Sequence, residues 1–273
     1  MLKRGVGVNI FQGNLNYKNI TIPKTILGNA PLIGEMYFGH RSRLYQLDLH
    51  RNPDNIAKII IEAYNQGVKA INLVNDEALL EGFDIAIENG CNMKVIAGIG
   101  KSEVDYIMPD FNKAKKVDWK RDIKLFSKYD TPIMLVDEFI VDGYDWDLTS
   151  EILTEINKTN SLSGIITSFP FKTTDLIIDN LDLNLFDFYM IPINKLAYMM
   201  DIPSFLDKER EILKNKLYKL NKKIIASKVL AAGIQMPEEA FNFIKTFDCI
   251  DLITVGIASK LEAETDFNIL KRV

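Results

Sequence analysis

The feature that most constrains this chain is an alternation. From about residue 30 to the end, short runs of Ile, Val and Leu give way to longer stretches with helical periodicity, and no Pro/Gly/Ser-rich linker or low-complexity tract interrupts them. Eight runs read as strands: Leu32–Met36, Ala70–Val74, Lys94–Ile99, Ile133–Asp137, Gly164–Ser168, Phe186–Ile191, Lys223–Leu230 and Asp251–Val255. Several are nearly continuous aliphatic runs, as parallel strands covered on both faces require. A unit of roughly 34 residues repeated eight times suits a (β/α)8 barrel of ~250 residues. The expectation is therefore an α/β protein, a single TIM-barrel domain over residues 1–273.

The intervening segments carry helix punctuation. Asn52-Pro53 supplies an N-cap followed by Pro at the first helical position, Ile56, Ile59, Ile60 and Ala63 recur at helical spacing, and Gly67 ends the pattern. Pro237 opens a second helix, Ser259 and Glu262 have capping-box spacing, and Ser204 to Lys223 reads as a long Lys-rich helix with Leu213, Leu217 and Leu220 inward. Residues 1–24 differ. Val6, Val8 and Ile10 alternate with Gly and Asn, Gln12-Gly13-Asn14 reads as a turn, and Tyr17, Ile20 and Ile22 follow, which predicts an N-terminal β-hairpin over the barrel floor.

Composition narrows the function classes. With 33 basic and 37 acidic residues the formal charge is −4, so no general electrostatic pull toward nucleic acid or anionic lipid exists. No apolar run approaches the roughly 20 residues of a membrane helix, and the basic start lacks a signal-peptide apolar core, so the expectation is a cytoplasmic protein acting on a small molecule. Cys91 and Cys249 stand far apart without metal-ligand spacing, and the Asp142, Asp145 and Asp147 loop matches no calcium-loop pattern, so no metal site is expected.

In such a barrel, reactive groups come from the C-terminal ends of strands and the loops beyond them. On the seventh run, Ile225 and Val229 share a parity that suits the helix layer, which directs Lys228 toward the interior. A buried ammonium needs a carboxylate or loses its proton, so Lys228 is a candidate nucleophile or base. One of Asp137 and Glu138, at the end of the fourth run, is its natural partner. Lys101 ends the third run, and Asn72 sits between two outward residues of the second; with Lys228, Asp137 and Glu138 they form the candidate catalytic set. Glu35, His40, Arg41 and Trp146 are candidate substrate contacts, the histidine as an acid–base group and the arginine as an anion clamp. Gly233, Gly256 and Ser259, on the loops after the seventh and eighth runs, are candidate phosphate or cofactor contacts.

Leu27-Gly-Asn-Ala-Pro-Leu-Ile-Gly34, Ala63-Tyr-Asn-Gln-Gly67, Lys228-Val-Leu-Ala-Ala-Gly233 and Val255-Gly-Ile-Ala-Ser259 together resemble the aldo-keto reductases, and the opening phrase is similar to archaeal-type members. The resemblance implies a nicotinamide reductase with an Asp, Tyr, Lys and His catalytic set, and NADPH near Ser259 and Lys260. The set itself is missing: Asn72 stands where the Asp is expected, Asn75–Leu80 holds no Tyr, and the fourth run ends in Asp137-Glu138 rather than His. Three readings follow. The first is a small-molecule enzyme diverged from NADPH-dependent carbonyl reduction. The second is a Schiff-base aldolase or lyase using Lys228. The third is a non-catalytic binding barrel with a mouth filled by Tyr37, Phe38, Tyr144 and Trp146.

Overall fold

The computed structural model describes residues 11–102 and 108–273. A two-stranded antiparallel hairpin, β1 (Asn14–Tyr17) and β2 (Ile20–Pro23), precedes eight parallel strands that close into a barrel. These are β3 (Thr25–Gly28), β4 (Ala70–Leu73), β5 (Lys94–Ile99), β6 (Ile133–Val136), β7 (Leu162–Ile166), β8 (Phe188–Pro192), β9 (Lys223–Ser227) and β10 (Ile250–Gly256). Each pairs with its neighbour in sequence order, and β10 closes on β3 through Ile253–Gly256 against Thr25–Gly28. The fold is a (β/α)8 barrel with an N-terminal hairpin. Among the described residues no helix is long and apolar enough to cross a membrane.

Two apolar layers follow from the period of two along each strand. Ile26, Ala70, Ile96, Leu135, Phe188 and Ile225 belong to the interior cluster, while their neighbours Leu27, Ile71, Val95, Val136, Tyr189 and Ala226 pack outward against the helices. The hairpin contributes buried Ile22 to the interior, and Tyr17 meets Phe188 edge-on at 5.8 Å, so β1 and β2 plug the N-terminal end. Its two-residue turn is Lys18-Asn19, both in the left-handed region with φ of 45° and 65°, the geometry that matches strand twist. The expected turn at Gln12–Asn14 instead precedes β1. Val6, Val8 and Ile10 lie outside the described residues.

Sequence reading misplaced one stave. The first barrel strand is Thr25–Gly28, not Leu32–Met36. Residues 29–35 form a compact turn in which the Leu32 and Glu35 amides donate to the carbonyls of Asn29 and Ala30. The helices fall where caps and prolines put them: Pro53–Asn65 behind Asn52, Pro237–Ile244, Asp207–Leu220, and Lys260–Arg272 behind Ser259.

Gly164 shows how tightly the interior closes. A Cβ there would lie 2.5 Å from Leu135 Cδ2 and 2.6 Å from the Phe188 carbonyl oxygen, and backbone cannot step aside cheaply. Gly164→Ala should therefore cost about 1–3 kcal/mol, read as a lowered urea midpoint with an unchanged denaturant slope.

Candidate functional site

At the C-terminal end of the barrel lies a cavity of about 120 Å³, walled by the strand ends and by the segment after β3. Ile166, Met190 and Val74 give it apolar walls, and Asn72, Ser227 and Thr254 line it from their strands. Asn72 spends its amide N–H on the Ile96 carbonyl at 2.8 Å. Among the described residues, five carboxyl or ammonium groups converge on the cavity: Glu35, Lys101, Asp137, Glu138 and Lys228.

Lys228 enters by a route that strand alternation does not describe. Ile225 belongs to the interior cluster and Ala226 to the outer layer, the reverse of the expected parity. Alternation continued past Ser227 would send Lys228 outward among the helices. The chain breaks it there: β9 ends at Ser227, and Lys228 takes φ of +52°. A left-handed residue costs a non-glycine side chain about 1 kcal/mol or more, and this one redirects the lysine into the mouth. Its Nζ donates to Glu138 Oε2 at 2.9 Å and to Ser168 Oγ at 3.1 Å, and stands 5.3 Å from the Tyr37 ring centre. The lysine and glutamate side chains are only 8% and 11% exposed.

Glu138 opens a one-turn helix, Glu138–Val141, capped by the carboxylate of Asp137, which accepts the Phe139 N–H at 3.0 Å. Ser168 also donates to Glu138 Oε2. Behind it, buried Asp142 accepts from the Thr167 hydroxyl, from the Ser168 N–H at 2.9 Å and from the Thr173 hydroxyl at 2.9 Å, which fixes the Ser168 backbone. The acidic loop is thus engaged in structure. Asp145 caps the helix Trp146–Ile156 and pairs with Lys115 at 3.2 Å.

The second ion pair joins Lys101 Nζ to Glu35 Oε1 at 2.5 Å, with side-chain exposures of 19% and 12%. Burial alone would lower the Lys101 pKa, but attraction to Glu35, Asp137 and Glu138 outweighs it and holds the ammonium above the ordinary lysine value. Gly34, at φ of +65°, turns the chain so that Glu35 faces the cavity rather than solvent. Tyr37 and Phe38 follow it into the cavity wall. Burial first, then Glu35 and Glu138, push the Tyr37 phenol well above its usual range, so the group is a neutral hydroxyl. The Tyr198 hydroxyl donates to the Tyr37 carbonyl and straps this segment across to the loop after β8.

Asp137 is the odd member. Among the described residues no lysine, arginine or histidine lies within salt-bridge distance of it. Burial raises its pKa from 3.8 to about 7, against the attraction of Lys101, with Glu138 and Glu35 adding repulsion.

Other expected contacts lie elsewhere. His40 and Arg41 are exposed at the start of the helix His40–Asp48, where Arg41 Nη1 donates to the Gly233 carbonyl at 3.1 Å. Trp146 packs beside Tyr144 at the head of its own helix, ring centres 5.9 Å apart, and neither aromatic lines the cavity. These side chains belong to the outer faces of loops, where strand position gave no information on direction. Gly233 and Gly256 do line the cavity, whereas Ser259 does not. Sequence reading weighed Tyr37 only as aromatic filling and overlooked Ser168, although Ser168 sits two residues beyond an aliphatic strand end, where reactive groups are expected.

The raised carboxyl pKa has a consequence for stability. Between 3.8 and about 7 the folded chain keeps a proton on Asp137 that the unfolded chain releases, so this contribution is complete below 3.8 and is lost as pH rises through about 7. Asp137→Asn, which cannot ionise, should raise stability on the order of 1 kcal/mol or more at about pH 8 and leave it nearly unchanged at about pH 4. Urea titrations of both chains at the two pH values check this.

No protein-family model matches the sequence, and no curated protein matches it. Solved structures do. A protein of Pseudomonas aeruginosa assigned to the aldo-keto reductases superposes with a TM-score of 0.65 at 13% identity, covering 96% of each chain. A variant of Gox0644 in complex with NADPH gives 0.61 at 13% identity, covering 94% of this chain and 88% of that one. An aldo-keto reductase of Brucella melitensis gives 0.54 at 12% identity, covering 94% and 92%. The similarity is one of fold: this chain forms an aldo-keto reductase-like barrel.

Proposed function

We propose that this chain is an enzyme that acts on a small metabolite at the mouth of its barrel, with a reaction diverged from NADPH-dependent carbonyl reduction to proton transfer by Asp137 beside Lys101. One observation carries this reading: five carboxyl or ammonium side chains from four separate chain segments converge on one small, sheltered cavity. Burying that many charges is expensive, and a cleft that gathers perturbed carboxyl and amine groups is where acid–base chemistry is arranged. The binding-barrel reading would gain from an apolar mouth filled by Tyr37, Phe38, Tyr144 and Trp146, and this cavity instead gathers ionisable groups and is not lined by Tyr144 or Trp146.

Asp137 titrates near 7, where a group serves equally well as base and acid. As a carboxylate it takes a proton from the substrate, and as the acid it returns that proton to another position, so the cycle consumes no further reagent. Lys101, held as a cation, stabilises negative charge that develops on the substrate meanwhile. Lys228, fixed by Glu138 and Ser168, orients the substrate from the opposite wall.

The fold family implies NADPH, and the residues expected to hold its phosphates do not fit that task. Ser259 Oγ accepts the Glu262 N–H at 3.1 Å while the Glu262 carboxylate accepts the Ala258 N–H at 2.7 Å. An internal carboxylate thus occupies the helix N-terminus that an anion would need. Arg41 is turned to the Ala232 and Gly233 carbonyls, and a Cβ at Gly233 would lie 2.4 Å from its Nη1. No step is assigned to a nicotinamide.

A panel of small metabolites incubated with the protein in D2O tests the reading even while the substrate is unidentified. Proton NMR should reveal enzyme-dependent exchange of a carbon-bound hydrogen in at least one compound, and Asp137→Asn should slow it by about 100-fold or more. Absence of exchange across the panel would sink the proposal.

The position of Lys228 favours a second reading. Its Nζ faces the cavity with a carboxylate at 2.9 Å, so Glu138 could accept the ammonium proton, the free amine add to a substrate carbonyl and pass one N–H proton to its oxygen, and Glu138 then protonate the resulting hydroxyl so that it leaves as water and the iminium remains. Borohydride with a carbonyl panel should then leave a mass adduct on Lys228 that Lys228→Met lacks; an unmodified lysine counts against this chemistry.

A further inference from the structure

Among the described residues that line the cavity, the carboxyl groups outnumber the ammonium groups. Glu35, Asp137 and Glu138 supply three carboxylates, while the lining residues supply two ammonium groups, Lys101 and Lys228. Each ammonium sits against a glutamate, at 2.5 Å and 2.9 Å, and among the described residues Asp137 is left without a cation of its own. Only 5% of Asp137 is exposed, and it lines the cavity. Its carboxylate accepts the Phe139 N–H through Oδ1.

We infer that the cavity binds a small ligand carrying a protonated amine, whose ammonium pairs with Asp137. This rests on the proposed function and names the substrate class of that site. A monocation would give the Asp137 carboxylate the close partner it lacks, whereas a phosphate or carboxylate would enter beside Glu35 and Glu138 and find both lysines engaged. Tyr37 and Phe38 give the cavity an aromatic wall that suits the same ligand, and the Tyr37 ring already accommodates the Lys228 ammonium at 5.3 Å. Such a ligand also favours the carboxylate of Asp137, the base form with which the proposed proton transfer begins, because an opposite charge within a few ångströms offsets the desolvation that favours its acid form.

Three probes of matched size separate charge from shape: 3-amino-1-propanol, 1,3-propanediol and 3-hydroxypropionate, each titrated into the full chain by calorimetry at about pH 7.5. The amine should bind about tenfold or more tighter than the diol, and the hydroxyacid weakest. Asp137→Asn should erase the preference for the amine while diol binding and thermal unfolding at that pH report an intact cavity. Lys101→Met, which frees Glu35 as a second unpaired carboxylate, should strengthen amine binding. Amine titrations near pH 7 in buffers of different ionisation heat should register proton release, because Asp137 deprotonates as the cation enters among Glu35, Glu138, Lys101, Lys228 and Tyr37. Equal or tighter binding of the diol or the hydroxyacid, no measurable amine binding, or an amine preference that survives Asp137→Asn would overturn the inference. Binding is read without turnover, so the amine can bind where D2O exchange fails, and exchange can occur with an uncharged substrate where the amine fails.

Discussion

Desolvated charge governs this molecule. Taking a lysine or glutamate out of water costs several kcal/mol, and the cost is offset only by a close partner of opposite sign. The mouth of the barrel meets that requirement twice, with Lys228 on Glu138 and Lys101 on Glu35, and each pair joins distant parts of the chain. Lys101 leaves β5 and Glu35 arrives from the turn after β3; Lys228 leaves β9 and Glu138 arrives from the end of β6. The pairs are therefore cross-braces over the mouth, and loss of either partner strands a buried charge.

Local backbone geometry serves those pairs. Lys228, Ala231 and Ala232 all have positive φ, in a stretch that an idealised loop would give to glycine. The left-handed turn at Lys228 is offset by two hydrogen bonds from its Nζ, and the turn at Gly34 is matched by the ion pair of Glu35. Strain here marks where side-chain direction matters more than backbone ease, the usual relation at a functional site.

What was legible in the sequence follows the same division. Seven of the eight staves announced themselves because continuous Ile and Val runs admit little else, and the helices because Asn52, Pro53, Pro237 and Ser259 punctuate them. β3 escaped notice because Thr25-Ile-Leu-Gly28 is short, while the more apolar Leu32–Ile33 nearby draws attention although Asn29, Pro31 and Gly34 bend it into a turn. Lys228 was placed in the interior, but through an inverted parity: alternation assumes that the strand runs on, and the residue arrives inward because it does not. Tyr37 and Ser168 were hidden for a related reason. Their positions depend on loop geometry and on contacts with Tyr198 and Asp142, both far away in sequence.

The comparison between Asp137 and Asp142 isolates what fits the former for the proton transfer proposed above. Burial lifts both to about 7, so desolvation alone does not distinguish them. Asp142 accepts two hydroxyls and a backbone N–H, all from the loop and helix it holds in place, and it does not line the cavity. Its acceptor capacity is directed at the fold. Asp137 accepts one backbone N–H from the helix it caps, and it faces the cavity beside Lys101, whose pKa the surrounding carboxylates raise. A carboxyl group with spare acceptor capacity, a titration point near neutrality and a nearby positive charge can exchange a proton with whatever the cavity holds, while a fully satisfied one of the same pKa cannot do so without unfastening the loop around it.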